Sequence, residues 1–112
     1  MNILIIGLGS IGQRHLRNIK KVNPKVNLFA LKRIKKSPTL SSQNKIIKRD
    51  LISYNKIKII DNLQTILKNK IKIDIVLICG PSSQHCDQII FFANLGIYTF
   101  VEKPICINFK QL

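Results

Sequence analysis

Residues 2–6 (Asn-Ile-Leu-Ile-Ile) are an unbroken apolar, largely β-branched run that stops at Gly7. A run without polar alternation fits a strand covered on both faces, as in a parallel sheet. Beyond the glycines, Ile11, His15, Ile19 and Val22 recur at helical spacing, leaving Arg14, Arg17, Lys20 and Lys21 for the wet side. Lys20 and Lys21 suit the negative end of the helix dipole, and Asn23-Pro24 ends the helix. Residues 26–31, 57–60, 74–79 and 97–101 read as four further strands. The polar stretch 32–42 reads as a loop, and 43–52 as a short helix. Asp61 is expected to N-cap a helix carrying Leu63, Ile66 and Leu67. After the fourth strand, Gly80-Pro81-Ser82-Ser83 makes a turn whose serines would cap the next helix. That helix carries Cys86, Ile89, Ile90 and Ala93 on its buried face and ends at Gly96, a left-handed cap. Asn108 would begin one more. Strands alternating with helices predict an α/β fold, a Rossmann-type doubly wound parallel sheet with right-handed crossovers.

The strongest chemical signal lies between the first strand and the first helix. Gly7-Leu8-Gly9-Ser10-Ile11-Gly12 is a G-x-G-x-x-G in the strand–turn–helix context that a dinucleotide fingerprint requires. Gly7 allows the tight turn, Gly9 lets a pyrophosphate approach the backbone, and Gly12 permits close packing of helix on strand. With Ser10 and Ile11, these residues open the helix whose free N–H groups would hold the phosphates. The fingerprint next calls for an acid about 20 residues on, to bind the adenosine ribose. Here Lys32 and Arg33 stand at the end of the second strand, and the first acid anywhere is Asp50. The two cations could grip a 2′-phosphate, so NADP is expected ahead of NAD. The alternative is that both are solvated loop charges.

Charge modifies this picture only slightly. The 112 residues carry 19 Lys plus Arg against 5 Asp plus Glu, a formal net charge of +14. Such a field attracts polyanions at low salt. The basic residues are scattered rather than blocked, however, and no helix–turn–helix or RNA-recognition signature accompanies them. A basic nucleic-acid binder is therefore the least favoured of the readings. Cys79, Cys86 and Cys106 form no CxxC and no metal spacing with His15 or His85. Cys79 and Cys86 read as small core residues. An odd cysteine count without a signal peptide points to a cytoplasmic protein, and no apolar run is long enough to span a membrane.

Three local patterns follow one another in order: Gly7-x-Gly9-x-x-Gly12-x-x-His15, Cys79-Gly-Pro81-Ser-Ser-Gln-His85, and Glu102-Lys103-Pro104. Together they resemble the N-terminal domain of the glucose–fructose oxidoreductase, inositol dehydrogenase and rhizopine-catabolism (Gfo/Idh/MocA) family. The resemblance implies that the first loop binds the cofactor pyrophosphate and that Cys79, Pro81 and His85 line the dinucleotide. Cys79-Gly80 replaces the family's commoner small hydroxyl residue before the proline. The resemblance also places Glu102 in the cofactor site and Lys103 beside nicotinamide and substrate, as the catalytic residue. An ammonium there could hydrogen-bond the reacting oxygen and offset developing charge. Pro104 could follow a cis peptide bond, a proline speciality. His15 reads as a packing or capping residue.

Residues 1–112 thus read as one NAD(P)-binding Rossmann domain, expected to stop after about five strands with no second domain in this length. Family members add a C-terminal domain that closes over the nicotinamide. The expectation is therefore an oxidoreductase domain for a sugar-like or polyol alcohol, incomplete without a second domain. A non-catalytic, nucleotide-binding regulatory module is the alternative. The fifth strand would be an exposed apolar edge, open to a partner chain or to self-association.

Overall fold

The first apolar run folds as strand β1 (Asn2–Ile6), at the centre of the sheet. In the computed structural model, which describes residues 1–31, 38–108 and 110, it is flanked by β2 (Asn27–Leu31) and β4 (Ile75–Ile78). Strand β3 (Lys58–Ile60) pairs with β2 and β5 (Tyr98–Val101) with β4, so the order is β3-β2-β1-β4-β5 with every pairing parallel. Between them run helices α1 (Ser10–Val22), α2 (Leu51–Asn55), α3 (Leu63–Lys68) and α4 (His85–Asn94).

Burial on both faces explains the missing alternation in the strands. Ile3 and Ile5 of β1 enter one core with Leu28, Ala30 and Leu77 from neighbouring strands, covered by Leu16 of α1 and Leu51 of α2. Leu4 and Ile6 point the other way, into a second core with Phe29, Val76 and Ile78, covered by Ile66 of α3 and Phe92 of α4. Two apolar layers back to back leave no solvated face, so each central strand must be apolar at every position. The strand order reverses direction between β1 and β4, creating a crevice at their carboxyl ends where open α/β sheets bind ligands.

Helix faces and caps depart from expectation in several places. In α1 the buried residues are Gly12, Gln13 and Leu16, whereas Ile11 and Val22 are exposed. Those two lie in the terminal turns, past the part of α1 that rests on the sheet. In α4 the buried face is His85, Gln88 and Phe92, while Ile90 and Ala93 are exposed. The larger Phe92 takes the centre of the core, turning the helix away from the smaller Ala93. The helix expected over 43–52 begins only at Leu51, capped by Asp50, whose carboxylate accepts the Ser53 amide at 2.7 Å. Ahead of it an antiparallel bridge joins Leu40 to Ile46. Asn62, not Asp61, caps α3, accepting from the Thr65 amide. Ser82 and Ser83 lie in a 3-10 turn before α4 that makes no side-chain cap. Gly96 does adopt the left-handed conformation after α4, at φ +66°. The further helix expected from Asn108 runs into residues 109, 111 and 112, which lie outside the described set.

β5 is the outer strand on its side of the sheet, with Tyr98 and Phe100 exposed. Among the described residues no helix is long and apolar enough to cross a membrane.

Candidate dinucleotide site

The three sequence patterns converge at the carboxyl edge of β1, β4 and β5. Gly7 turns the chain at φ +89°, and a Cβ placed on it would come within 2.5 Å of the Gly80 amide nitrogen. The turn after β1 and the turn after β4 therefore touch through their backbones. A Cβ on Gly12 would fall inside the van der Waals shell of the Gly7 carbonyl oxygen, with Cys79 Cβ 3.7 Å away. Two of the three glycines are thus required by protein packing alone.

Gly9 is different. It is exposed, lies in an extended conformation at φ −73°, and would place a Cβ in open space with nothing within 4 Å. Its carbonyl accepts from the Gln13 amide at 2.9 Å, which makes it the N-cap of α1. No side chain caps that end and no acid occupies the first turn. The positive end of a 13-residue helix therefore faces solvent beside a residue with no side chain, with Ser10 and Ile11 exposed at its rim. A pyrophosphate fits this cradle on both counts, space and polarity.

The Glu102–Lys103–Pro104 turn is held to the same edge by several contacts. The Glu102 amide donates to Ile78 O at 2.9 Å, extending the β4–β5 ladder by one step. His15 Nε2, on α1, lies 2.6 Å from Glu102 Oε1. The His15 ring also meets Phe100 edge-on, with centroids 5.2 Å apart. The carboxyl of Glu102 is held below the ordinary carboxylate range, chiefly by the His15 hydrogen bond. Partial burial opposes this, and the charge of His15, the Lys103 amide and the Lys103 ammonium reinforce it. The Lys103–Pro104 peptide bond is cis, and Lys103 itself is exposed.

His85 sits beneath this arrangement, 1% exposed, with Nδ1 2.9 Å from Pro104 O and Nε2 2.9 Å from Gly80 O. Both ring nitrogens therefore meet main-chain carbonyls, one from each neighbouring turn. A neutral ring donates to one of them, and the imidazolium would donate to both. Helix α4 thereby ties the turn after β4 to the turn after β5.

Cys79 is partly buried behind the glycine turn. Burial, aided by the Glu102 charge, pushes its thiol up from 9.0 to about 11. At mildly alkaline pH that leaves a thiolate fraction about 100-fold below an ordinary cysteine's, since the thiolate is the reactive form. Iodoacetamide at pH 8 should therefore label Cys79 at least about 10-fold more slowly in the folded protein than in denaturant, measured by peptide mass spectrometry. Equal rates would show the sulfur to be open. The fold binds the proton more tightly than the unfolded chain does. The associated stability is thus complete below pH 9.0 and is lost as pH rises toward 11.

The structure thus brings together Gly7, Gly9, Ser10, Ile11, Gly12, Cys79, Pro81, His85, Glu102 and Lys103 at one edge. Lys32 and Arg33 lie outside the described residues. Sequence reasoning left His15 as a packing or capping residue, although it stands one helical turn beyond Gly12, on the face that meets the sheet. Gln13 escaped notice altogether. Its buried amide donates to Leu8 O and Pro38 O and accepts from the Leu40 amide, pinning the 38–40 segment to α1. A cavity of about 470 Å³ between α1, residues 39–49 and α2 contains none of the site residues. No cluster of three metal-ligating side chains occurs among the described residues.

Comparison with known proteins agrees with this geometry. The sequence model of GFO_IDH_MocA, described as an oxidoreductase family with an NAD-binding Rossmann fold, matches residues 1–112. A curated relative, myo-inositol 2-dehydrogenase of Thermotoga maritima, is 25% identical over the whole chain, which spans 30% of that protein. Among solved structures, myo-inositol 2-dehydrogenase from Lactobacillus plantarum superposes with a TM-score of 0.71 at 24% identity, over 99% of this chain and 30% of that one. The WlbA dehydrogenase from Bordetella pertussis, solved with NADH and UDP-GlcNAcA, superposes at 0.74 with 17% identity, over 98% of this chain and 31% of that one.

Proposed function

Since the chain belongs to the Gfo/Idh/MocA oxidoreductase family and carries its NAD-binding Rossmann fold, we propose that it serves hydride transfer between a nicotinamide dinucleotide and a sugar-like or polyol alcohol. The observation that carries this reading is the junction of three turns. Gly7 abuts Gly80, while His85 spans Gly80 and Pro104. This sets an exposed Lys103 at the same sheet edge as the open α1 N-terminus.

Each part has a defined task. The glycine turn and the α1 N-terminus bind the pyrophosphate, with Gly9 yielding the space. The bound dinucleotide supplies the hydride donor or acceptor. Lys103 offers its ammonium to the reacting oxygen and offsets charge that develops there. Pro81 and Cys79 border the dinucleotide from the β4 side. The inositol and sugar-nucleotide relatives support the polyol or sugar-like substrate class. Because the chain spans 30% of its curated relative, the substrate-side groups are assigned to a second domain or partner chain. The exposed edge at Tyr98 and Phe100 is a candidate contact for it. Cys79, Cys86 and Cys106, none of them in a disulfide, suit a reducing, cytoplasmic setting.

Within this reading the cofactor is NADP in preference to NAD. The support is Lys32 and Arg33 where an acid would otherwise bind the ribose. Titration at physiological salt, followed by nicotinamide fluorescence, should show tighter binding of NADPH than of NADH. K32A and R33A should each weaken NADPH by about 10-fold, the loss of one charge-assisted contact, and leave NADH nearly unchanged. Tighter NADH binding by the parent protein would overturn the preference. A folded chain that binds neither would overturn the dinucleotide function itself.

A further inference from the structure

The Lys103 turn needs a reason to hold its place, because Lys103 is exposed and its own side chain makes no hydrogen bond or ion pair among the described residues. Among the described residues, His15 is the α1 side chain that reaches the turn. It lies on α1 one turn beyond Gly12, so its backbone position is set by the same glycine packing that shapes the pyrophosphate cradle. Its ring is steadied by the edge-on contact with Phe100 of β5, and its Nε2 is 2.6 Å from Glu102 Oε1. Glu102 is adjacent to Lys103 in the chain, and its own amide is fixed to Ile78 O.

We infer that His15 is a positioning residue for Lys103: through Glu102 it couples the helix that cradles the pyrophosphate to the turn that presents the ammonium. The inference rests on the function proposed above, in which Lys103 is the catalytic group; His15 acts through Glu102. The carboxylate is the intermediary. Held by the ring through its carboxylate and by Ile78 O through its amide, Glu102 restrains the backbone of the next residue rather than the flexible lysine side chain. Fixing a catalytic group's backbone from a rigid helix is how an exposed lysine keeps a usable direction. The separation in sequence, 87 residues between His15 and Glu102, means that only the folded sheet edge makes the pair.

The test uses the full chain labelled with ¹⁵N, and compares the parent with H15Q and H15A. A glutamine amide nitrogen can stand where Nε2 stands, whereas alanine offers no donor. Amide spectra are read at Lys103 and at the core positions Leu4 and Val76. NADH and NADPH titrations are run on the same samples. The expected result is that H15A shifts or broadens the Lys103 amide while Leu4 and Val76 stay in place, and weakens dinucleotide binding by about 3- to 10-fold, a partial loss of orientation. H15Q should restore the Lys103 signal and the affinity. A Lys103 amide indifferent to H15A overturns the coupling, even if the dinucleotide binds well. So does a change that H15Q fails to rescue. If the parent binds no dinucleotide but the Lys103 amide follows His15 as described, the coupling stands and the functional reading fails.

Discussion

Gly12→Ala is expected to collapse the site by damaging the fold, whereas Gly9→Ala should silence it and leave the fold intact. At Gly12 a methyl group would enter the shell of the Gly7 carbonyl oxygen, which is backbone and cannot rotate aside. Overpacking of that kind costs about 1–3 kcal/mol, and more when backbone must move, against a total stability of about 5–15 kcal/mol for a domain. For a domain near this size each kcal/mol lowers the melting midpoint by about 4–8 °C. A fall of about 4–24 °C is therefore expected for G12A, with dinucleotide binding weakened alongside. At Gly9 the same methyl group meets nothing within 4 Å and the backbone is extended at φ −73°, which alanine adopts freely. Its melting midpoint should stay within about 3 °C of the parent's. The methyl group would nevertheless fill the space beside the helix N-terminus, so affinity should drop by at least about 10-fold. Thermal melts and NADPH titration of the two variants separate packing glycine from ligand glycine. If G9A bound like the parent, the cradle would not be the pyrophosphate site.

His85→Leu should be the second large effect, and it decides between two roles for this residue. Leucine keeps much of the volume but removes both ring nitrogens, so the carbonyl that accepts the neutral ring's one N–H, Gly80 O or Pro104 O, loses its donor. An orphaned, partly buried carbonyl costs about 1–3 kcal/mol, and a loss of that size is expected. Urea unfolding should show a lower midpoint with an unchanged slope. Cofactor affinity, measured where the variant is still folded, should fall only as far as the Pro104 turn loosens. The resemblance assigned His85 to the dinucleotide directly. A variant of parental stability with greatly reduced affinity would favour that direct contact and sink the role of His85 as a clamp between the turns.

Much of the backbone that frames the candidate site is legible in the sequence. The glycine pattern, its place between strand and helix, and the Glu-Lys-Pro after the last strand are all local, and local patterns report local backbone needs. Gly7 illustrates this, since a tight turn at φ +89° admits little else. The strands were equally legible, because burial on both faces imposes unbroken apolar runs that survive in the sequence as such. Helix faces were not. The pattern around α4 offered Ile90 and Ala93 as core residues, but burial went to Phe92 and His85. A ten-residue helix tolerates either rotation by its own propensities, and the choice falls to the shape of the core beneath it.

The sequence by itself determined an α/β domain of five parallel strands and a glycine turn suited to a dinucleotide. It determined these because strand burial, turn geometry and helix initiation each depend on a few consecutive residues. Only the tertiary structure decided which residues hold the site together. The pairs His15 with Glu102 and His85 with Pro104 O join residues 87 and 19 positions apart. No local rule links such residues. They meet because parallel strands β1, β4 and β5 end at the same edge, and polar contacts of 2.6–2.9 Å exist only once the sheet has brought that edge together.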